Sequence, residues 1–194
     1  MSGIIPRPFW FLRHGETDWN AQNLAQGNVD IPLNEHGLAQ ARAAAAALIG
    51  RRIEVIAASP LGRARQTADI AAAALGVPVE IAPELREVAF GVEEGQPMSA
   101  WFSDWVEGRS TPAGGEPFQA LRARARSALN RLLAAERHWL VVAHGGLFRA
   151  VRAEMGLTYA VRTPNGVPLL CLPPIAPEGQ WRLLTPEEAA AGSG

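Results

Sequence analysis

Residues 9–20 read FWFLRHGETDWN. An apolar run of the kind a buried strand requires stops at Arg13 and His14, and a glycine, two carboxylates and a tryptophan follow. A bare Arg-His pair at a strand end ordinarily opens a surface loop. Whether this one does more depends on what the rest of the chain brings beside it.

Working outward, strand-like and helix-like runs alternate along most of the chain, the pattern of a parallel sheet covered by helices. The first strand is read at about Pro8–Leu12, followed by a loop to Leu33. Asn34 is a plausible N-cap for the alanine-rich helix that stops at Gly50. A second strand at about Glu54–Ala58 leads to Ser59 and Pro60, read as a cap and first helical residue for LGRARQTADIAAAAL. VPVEIA (77–82) is a third strand, and PELREVAFGVEEG (83–95) reads as loop. MSAWFSDWVEG suggests a short helix, and a long arginine-studded helix runs from about Pro117 to Ala135. HWLVVA (138–143) is the fourth strand, with a loop and helix after it to Gly156. Two more strands are expected near Val167–Leu172 and Gln180–Leu184, and PEEAAAGSG reads as a frayed end.

The expected fold is therefore a three-layer α/β/α sandwich with a mostly parallel central sheet. The 194 residues, 48% of them hydrophobic, suit one domain over 1–194 with a short cap-like insertion at about 91–116. A net charge of −1 and a pI near 6.4 provide no broad basic field for nucleic acid or a membrane surface. All 18 basic residues are arginine. Lysine chemistry of the Schiff-base or Walker type is thereby excluded, and each cation is a planar fork suited to phosphate or carboxylate. The sole cysteine, Cys171, sits in an apolar run, and no segment reaches the roughly 18 apolar residues of a membrane helix. A cytoplasmic location is expected. The four histidines have no metal-ligand spacing, so no metal is expected.

Ligands of open α/β sheets bind beyond the carboxyl ends of the strands. Strand one delivers Arg13, His14 and Gly15; strand two Ser59, Pro60 and then Arg63; the loop after strand three Glu84, Arg86 and Glu87; strand four His144, Gly145 and Gly146. Two imidazoles, two arginines and a carboxylate at one edge form an anion site containing a nucleophile and a proton donor. A neutral first histidine can attack phosphorus through one ring nitrogen while a backbone carbonyl holds the other nitrogen's N–H.

The strings LRHGETDWN, QGNVDIPLNEHG, SPLGRARQTA, LREVAFGVEEG and VVAHGG, in that order from about residue 9 to 150, resemble those of the histidine phosphatase superfamily, which includes the phosphoglycerate mutase-like phosphatases. The resemblance implies that His14 becomes phosphohistidine and that Arg13 binds phosphoryl oxygens beside it. It implies phosphate contacts for Asn20, Gln26, Gly27, Arg63 and the Gly145 N–H. Glu87 matches the proton donor, and His144 the second histidine, which stabilises the transferring group. It also implies a metal-independent phosphomonoesterase with no cofactor, acting on a small-molecule phosphate monoester.

The family often has an aromatic residue where Glu93 stands, which leaves the role of Glu94 open. The mutase members carry a longer basic insertion, whereas only Arg109 lies between Gly95 and Gly114 here. Hydrolysis is therefore favoured over phosphoglycerate mutase-type transfer. A phosphate-binding regulatory module with little turnover is the reading from another class, and a homodimer stays open.

Simpler readings are preferred at several positions. His36 is expected to face solvent, and His138 to sit at a helix end. Glu16 is expected to support its loop, Thr17 is left open, and Arg122, Arg124, Arg126 and Arg131 are expected on a solvated face. Trp101, Phe102 and Trp105 are expected partly in the core; if they line the pocket mouth, they favour apolar or aromatic leaving groups.

Overall fold

The computed structural model describes residues 3–176 and 179–191. Its strands are β1 (Phe9–Arg13), β2 (Val55–Ala58), β3 (Val79–Ile81), β4 (Trp139–Ala143), β5 (Pro168–Leu172) and β6 (Arg182–Leu184). Its α-helices are α1 (Asp18–Ala21), α2 (Glu35–Leu48), α3 (Gly62–Leu75), α4 (Ala100–Val106), α5 (Phe118–Ala134), α6 (Gly145–Glu154) and α7 (Pro186–Ala191).

The six strands form one sheet in the order β3-β2-β4-β1-β5-β6. Neighbours from β3 to β1 pair in parallel, and β5 alone runs the opposite way. Alternation along the central strands feeds two cores. Phe9, Phe11, Val55, Ala57, Val141 and Ala143 face the layer of α5 and α6, where the ring of Phe11 stacks on Phe148 at 3.8 Å. Trp10, Leu12, Ile56, Ala58, Leu140 and Val142 face α2 and α3. That second layer is lined with alanine: Ala41, Ala44 and Ala45 of α2 and Ala64, Ala68 and Ala71 of α3 are all buried. The α/β architecture expected from the sequence is the one present.

Register sets the chemistry. Arg13 pairs with Ala143, and the His14 N–H donates to the Ala143 carbonyl at 3.0 Å. The Ser59 N–H likewise donates to Val142 at 3.0 Å. The residues just past β1, β4 and β2 are therefore adjacent at one sheet edge.

Three local expectations are corrected. Ser59 and Pro60 do not start α3, whose N-cap is Leu61 with no side-chain cap; the Ser59 hydroxyl accepts from Leu61 N at 3.3 Å just ahead of the helix and also contacts His144. His138 is not at a helix end, because α5 stops at Ala134 and the His138 N–H donates to Glu54 Oε2 at the start of β4. Residues 186–191 are helical rather than frayed, since the Thr185 and Glu188 side chains and backbone N–H groups bond reciprocally and Ala189 packs on the α2–α3 core. Residues 192–194 of that string lie outside the described residues. No helix among the described residues is long and apolar enough to cross a membrane.

Two glycines from separate motifs fix how closely the first loop meets α2. A Cβ on Gly15 would collide with the Gly37 carbonyl, and one on Gly37 with the backbone of Glu16. Asn34 caps α2 by accepting from Gly37 N at 2.8 Å, and its amide donates to Glu16 Oε1 at 3.1 Å. Glu16 thus supports the loop, as expected. Replacing a helical glycine by alanine ordinarily stabilises by roughly 0.5–1 kcal/mol. Gly37→Ala should instead destabilise by roughly 1–3 kcal/mol, the cost of overpacking, measured by urea unfolding; a gain in stability would contradict this close approach.

Candidate active site

Beyond the carboxyl ends of β1, β2 and β4 lies a cavity of about 210 Å³. Its wall includes Arg13, His14, Asn20, Gln26, Gly27, Arg63, Glu87 and Gly145. His144 is fully buried just behind, its ring centroid 5.1 Å from that of His14. All nine residues singled out from the sequence meet here.

His14 Nδ1 lies 2.7 Å from the Gly15 carbonyl oxygen. A carbonyl only accepts, so Nδ1 carries the proton and Nε2 keeps its lone pair. Burial, then the charges of Arg63 and Arg13, hold the His14 pKa well below 6.5, against a smaller opposing effect of the Gly15 hydrogen bond. Burial and the same arginines do the same to His144. His144 Nε2 contacts Ser59 Oγ at 2.7 Å, and its Nδ1 has no partner among the described residues. Both rings are neutral bases at neutral pH.

The two arginines are fixed by backbone carbonyls. Arg13 donates to Thr163 O at 2.6 Å. Arg63 donates from its two terminal nitrogens to Val29 O at 2.7 Å and Gly27 O at 2.8 Å. In each, Nε is buried without a partner among the described residues, so each guanidinium retains an N–H for an anion. Burial lowers Arg13 to about 10, with Glu87 opposing, so it remains charged at neutral pH.

Glu87 is held by the start of α6. Its Oε1 accepts from Val88 N at 3.0 Å and Leu147 N at 2.8 Å, and its Oε2 accepts from Gly146 N at 2.8 Å. Oε1 thus uses both lone pairs and Oε2 keeps one, the place where a proton can be carried. A side chain at residue 146 would press on Glu87, because a Cβ there falls 2.7 Å from Oε1.

Around this centre, Asn20 accepts through Oδ1 from Thr17 N at 3.3 Å and from Asn165 Nδ2 at 3.1 Å. Thr17 is the N-cap of α1, its hydroxyl accepting from Asn20 N at 3.2 Å. Gln26 is buried, its Oε1 without a partner among the described residues. Gly27 has φ +52 and no room for a side chain beside Glu94, whose Oε1 accepts from Asn28 N and Phe90 N. Glu94 therefore braces the loop whose Gly27 carbonyl holds Arg63. His36 is exposed, as expected.

The aromatic expectation holds only in part. Phe102 lines the cavity together with Phe90, Met98 and Leu24. Trp105 is fully buried, and Trp101 stands behind Phe90 with ring centroids 5.2 Å apart. The expectation of a solvated face holds for Arg131, which is exposed and pairs with Glu84 at 2.8 Å, and fails for the other three α5 arginines, which are half-buried. Arg122 and Arg126 both pair with the buried side chain of Glu154 of α6, and Arg124 pairs with Glu116. Arg124 also donates to the carbonyls of Glu84 and Arg86 at 2.8 Å, clamping the loop that presents Glu87.

Sequence reasoning missed the 163–166 turn. There Thr163 accepts from Arg13, the Asn165 amide donates to His14 O at 2.9 Å, and Gly166 N donates to Arg13 O at 3.0 Å. Its only sequence signal is the turn string TPNG. Arg149 and Arg162, also on the cavity wall, were missed too.

Comparison with known proteins gives a consistent picture. The model of the histidine phosphatase superfamily (branch 1) matches residues 9–164. An adenosylcobalamin/alpha-ribazole phosphatase of Salmonella typhimurium is 33% identical over 159 residues, 75% of this chain and 78% of that protein. A probable phosphoglycerate mutase of Photorhabdus laumondii is 37% identical over 147 residues, 70% of this chain and 68% of its own. Among solved structures, the native mycobacterial glucosyl-3-phosphoglycerate phosphatase superposes with a TM-score of 0.79 at 30% identity, covering 92% of this chain and 97% of that one.

The neutral burial of both histidines has a consequence for stability. An unfolded chain binds protons at these rings below about pH 6.5 while the folded chain does not, so stability is full above that pH and falls as pH drops toward the folded pKa values. The expected slope is about 1.4 kcal/mol per pH unit for each histidine. Urea unfolding between pH 7.5 and 5 should show it, and His14→Asn should flatten it by one proton's worth. An unchanged slope in that variant would contradict the buried neutral state.

Proposed function

This chain belongs to the histidine phosphatase superfamily, branch 1, and from that membership we propose that it hydrolyses phosphate monoesters through a phosphohistidine formed on His14. One observation carries the reading. A neutral imidazole with its Nδ1 proton tied to a carbonyl shares a cavity with two fixed guanidiniums, each with an unpartnered N–H, and with a carboxylate that keeps one lone pair.

In the proposed reaction His14 Nε2 attacks phosphorus as the phosphorus–oxygen bond to the alcohol breaks. Arg13, Arg63 and His144 stabilise the charge on the transferring phosphoryl oxygens, assisted by Asn20, Gln26, Gly27 and the Gly145 N–H at the start of α6. Glu87 gives its Oε2 proton to the departing alkoxide. It then takes a proton from the water that displaces His14, and inorganic phosphate leaves. The arginines supply the fixed positive charge, so the proposed step uses neither metal nor cofactor.

Water is the favoured acceptor over a second alcohol. The only arginine of the 91–116 segment, Arg109, is paired with Asp104 at 2.6 Å and with Glu107, away from the cavity wall.

Rapid quench with a ³²P-labelled monoester should trap acid-labile, base-stable phosphate on the wild type and none on His14→Ala. No trapped label and no phosphate release across a broad panel would favour a binding module. Glu87→Gln should lower kcat/KM, which reports transfer to His14 and not the later attack by water, by about 10²–10⁴ for alkyl phosphates, the span of general-acid catalysis, and much less for 4-nitrophenyl phosphate, because that leaving group needs no proton. Equal losses of kcat/KM on both would remove Glu87 from the acid role.

A further inference from the structure

The cavity wall carries two arginines, Arg149 and Arg162, on which phosphoryl transfer to water makes no demand. Arg149 projects from α6. Its Nη1 donates to the Tyr159 carbonyl at 2.8 Å, and its Cζ lies 5.1 Å from the centroid of the Phe102 ring. A guanidinium seated on a ring and tied at one nitrogen is pre-oriented, with its remaining N–H groups available for a ligand. Arg162 is exposed and forms no hydrogen bond or ion pair among the described residues.

These two cations are nearer to solvent than the phosphoryl pair: Arg149 is half-buried and Arg162 exposed, whereas Arg13 and Arg63 are buried. Both add to the positive charge felt at Arg13. Their charges are also poorly offset. Asp30 and Glu94 balance Arg63 from outside the cavity, and Glu87, the one carboxylate on the wall among the described residues, is shared by Arg13, Arg63 and Arg149. Like charges gathered at a cavity mouth without acidic partners repel one another, a cost that an anionic ligand relieves.

We infer that Arg149 and Arg162 bind a second anionic group carried by the leaving group, a carboxylate or a second phosphoryl group, with the intervening carbon chain lying against Phe102. The preferred substrate is then a phosphate monoester of an alcohol that is itself acidic. This rests on the phosphatase reading above, and it adds a specificity role for two residues outside the reacting centre.

The test uses three series of alkyl phosphates, two to six carbons long, ending in methyl, carboxylate or phosphate. At one or more chain lengths an anionic end should raise kcat/KM at least about tenfold over methyl, which corresponds to about 1.4 kcal/mol. The better of the two anionic series identifies which group is bound. Arg149→Gln and Arg162→Gln should each cut that ratio about fivefold, and added salt should lower it in the wild type. Arg162 is exposed, so its variant reads the ratio even if Arg149→Gln folds poorly. A methyl end as good at every length, or a preference that survives in the double variant, overturns the inference. If no series is turned over and no phosphoenzyme forms, the phosphatase reading fails instead. The same ligands are then compared by calorimetry, where tighter binding of anionic ends to the wild type, lost in the variants, sustains the inference, and equal Kd values overturn it.

Discussion

Arg13 and Arg63 are permanent positive charges held out of water, 8% and 0% exposed, and the chain around them is arranged to make that tolerable. An unpaired buried charge costs several kcal/mol, and backbone carbonyls are the cheapest neutral compensation. Thr163, Val29 and Gly27 supply them. Each of those carbonyls belongs to a loop with no regular structure, so the loops owe their conformation to the arginines as much as the arginines owe their positions to the loops. Glu94 completes the arrangement from behind by accepting from Asn28 and Phe90. The result is a cavity whose cations are fixed before any anion arrives, the condition under which electrostatic stabilisation costs no reorganisation.

The same economy shapes α6. Its first residues provide the N–H groups that hold Glu87, and the residue that caps it is His144. Arg149 stands one turn further along. Three side chains of distinct chemistry are therefore referred to one rigid helix, anchored in turn by Phe148 on Phe11 and by Glu154 against Arg122 and Arg126. An error in the tilt of α6 would move all of them together, so their spacing is preserved even where their position is not.

How much of this the sequence discloses follows from where each signal lies. The strands were legible because the apolar runs are short and end in abrupt polar residues. The placement of Arg13, His14, Arg63, Glu87 and His144 was legible because a parallel sheet brings strand ends to one edge. Ser59 was read in part: its hydroxyl does accept from Leu61 N at the entry to α3, and only the register of β2 beside β4 brings it to His144 as well. Arg124 was misread for a related reason. On the helix it is one of a row of arginines, and its function depends on carbonyls about 40 residues away in the chain. Residues 163–166 carry no charge, so nothing in them announces that they lock the backbone of Arg13 and His14.

The proposed phosphoryl-binding centre and the proposed leaving-group contacts draw on different kinds of structure in this molecule. His14, His144 and Glu87 are set by strand register and by a helix N-terminus, both of which tolerate little variation. Phe102 comes from α4, and Arg162 from the segment between α6 and β5, elements tied to the sheet by side-chain packing and turns rather than by the strand ladder. Arg149 joins the two, because its stem is fixed in α6 while its guanidinium leans on Phe102. A change in α4 can therefore alter which alcohol is accepted by moving the surface that Arg149 rests on, without moving Nε2 of His14. Under the proposed reaction, fixed chemistry beside a wall built from separate elements would let the alcohol preference change while the reacting centre stays in place.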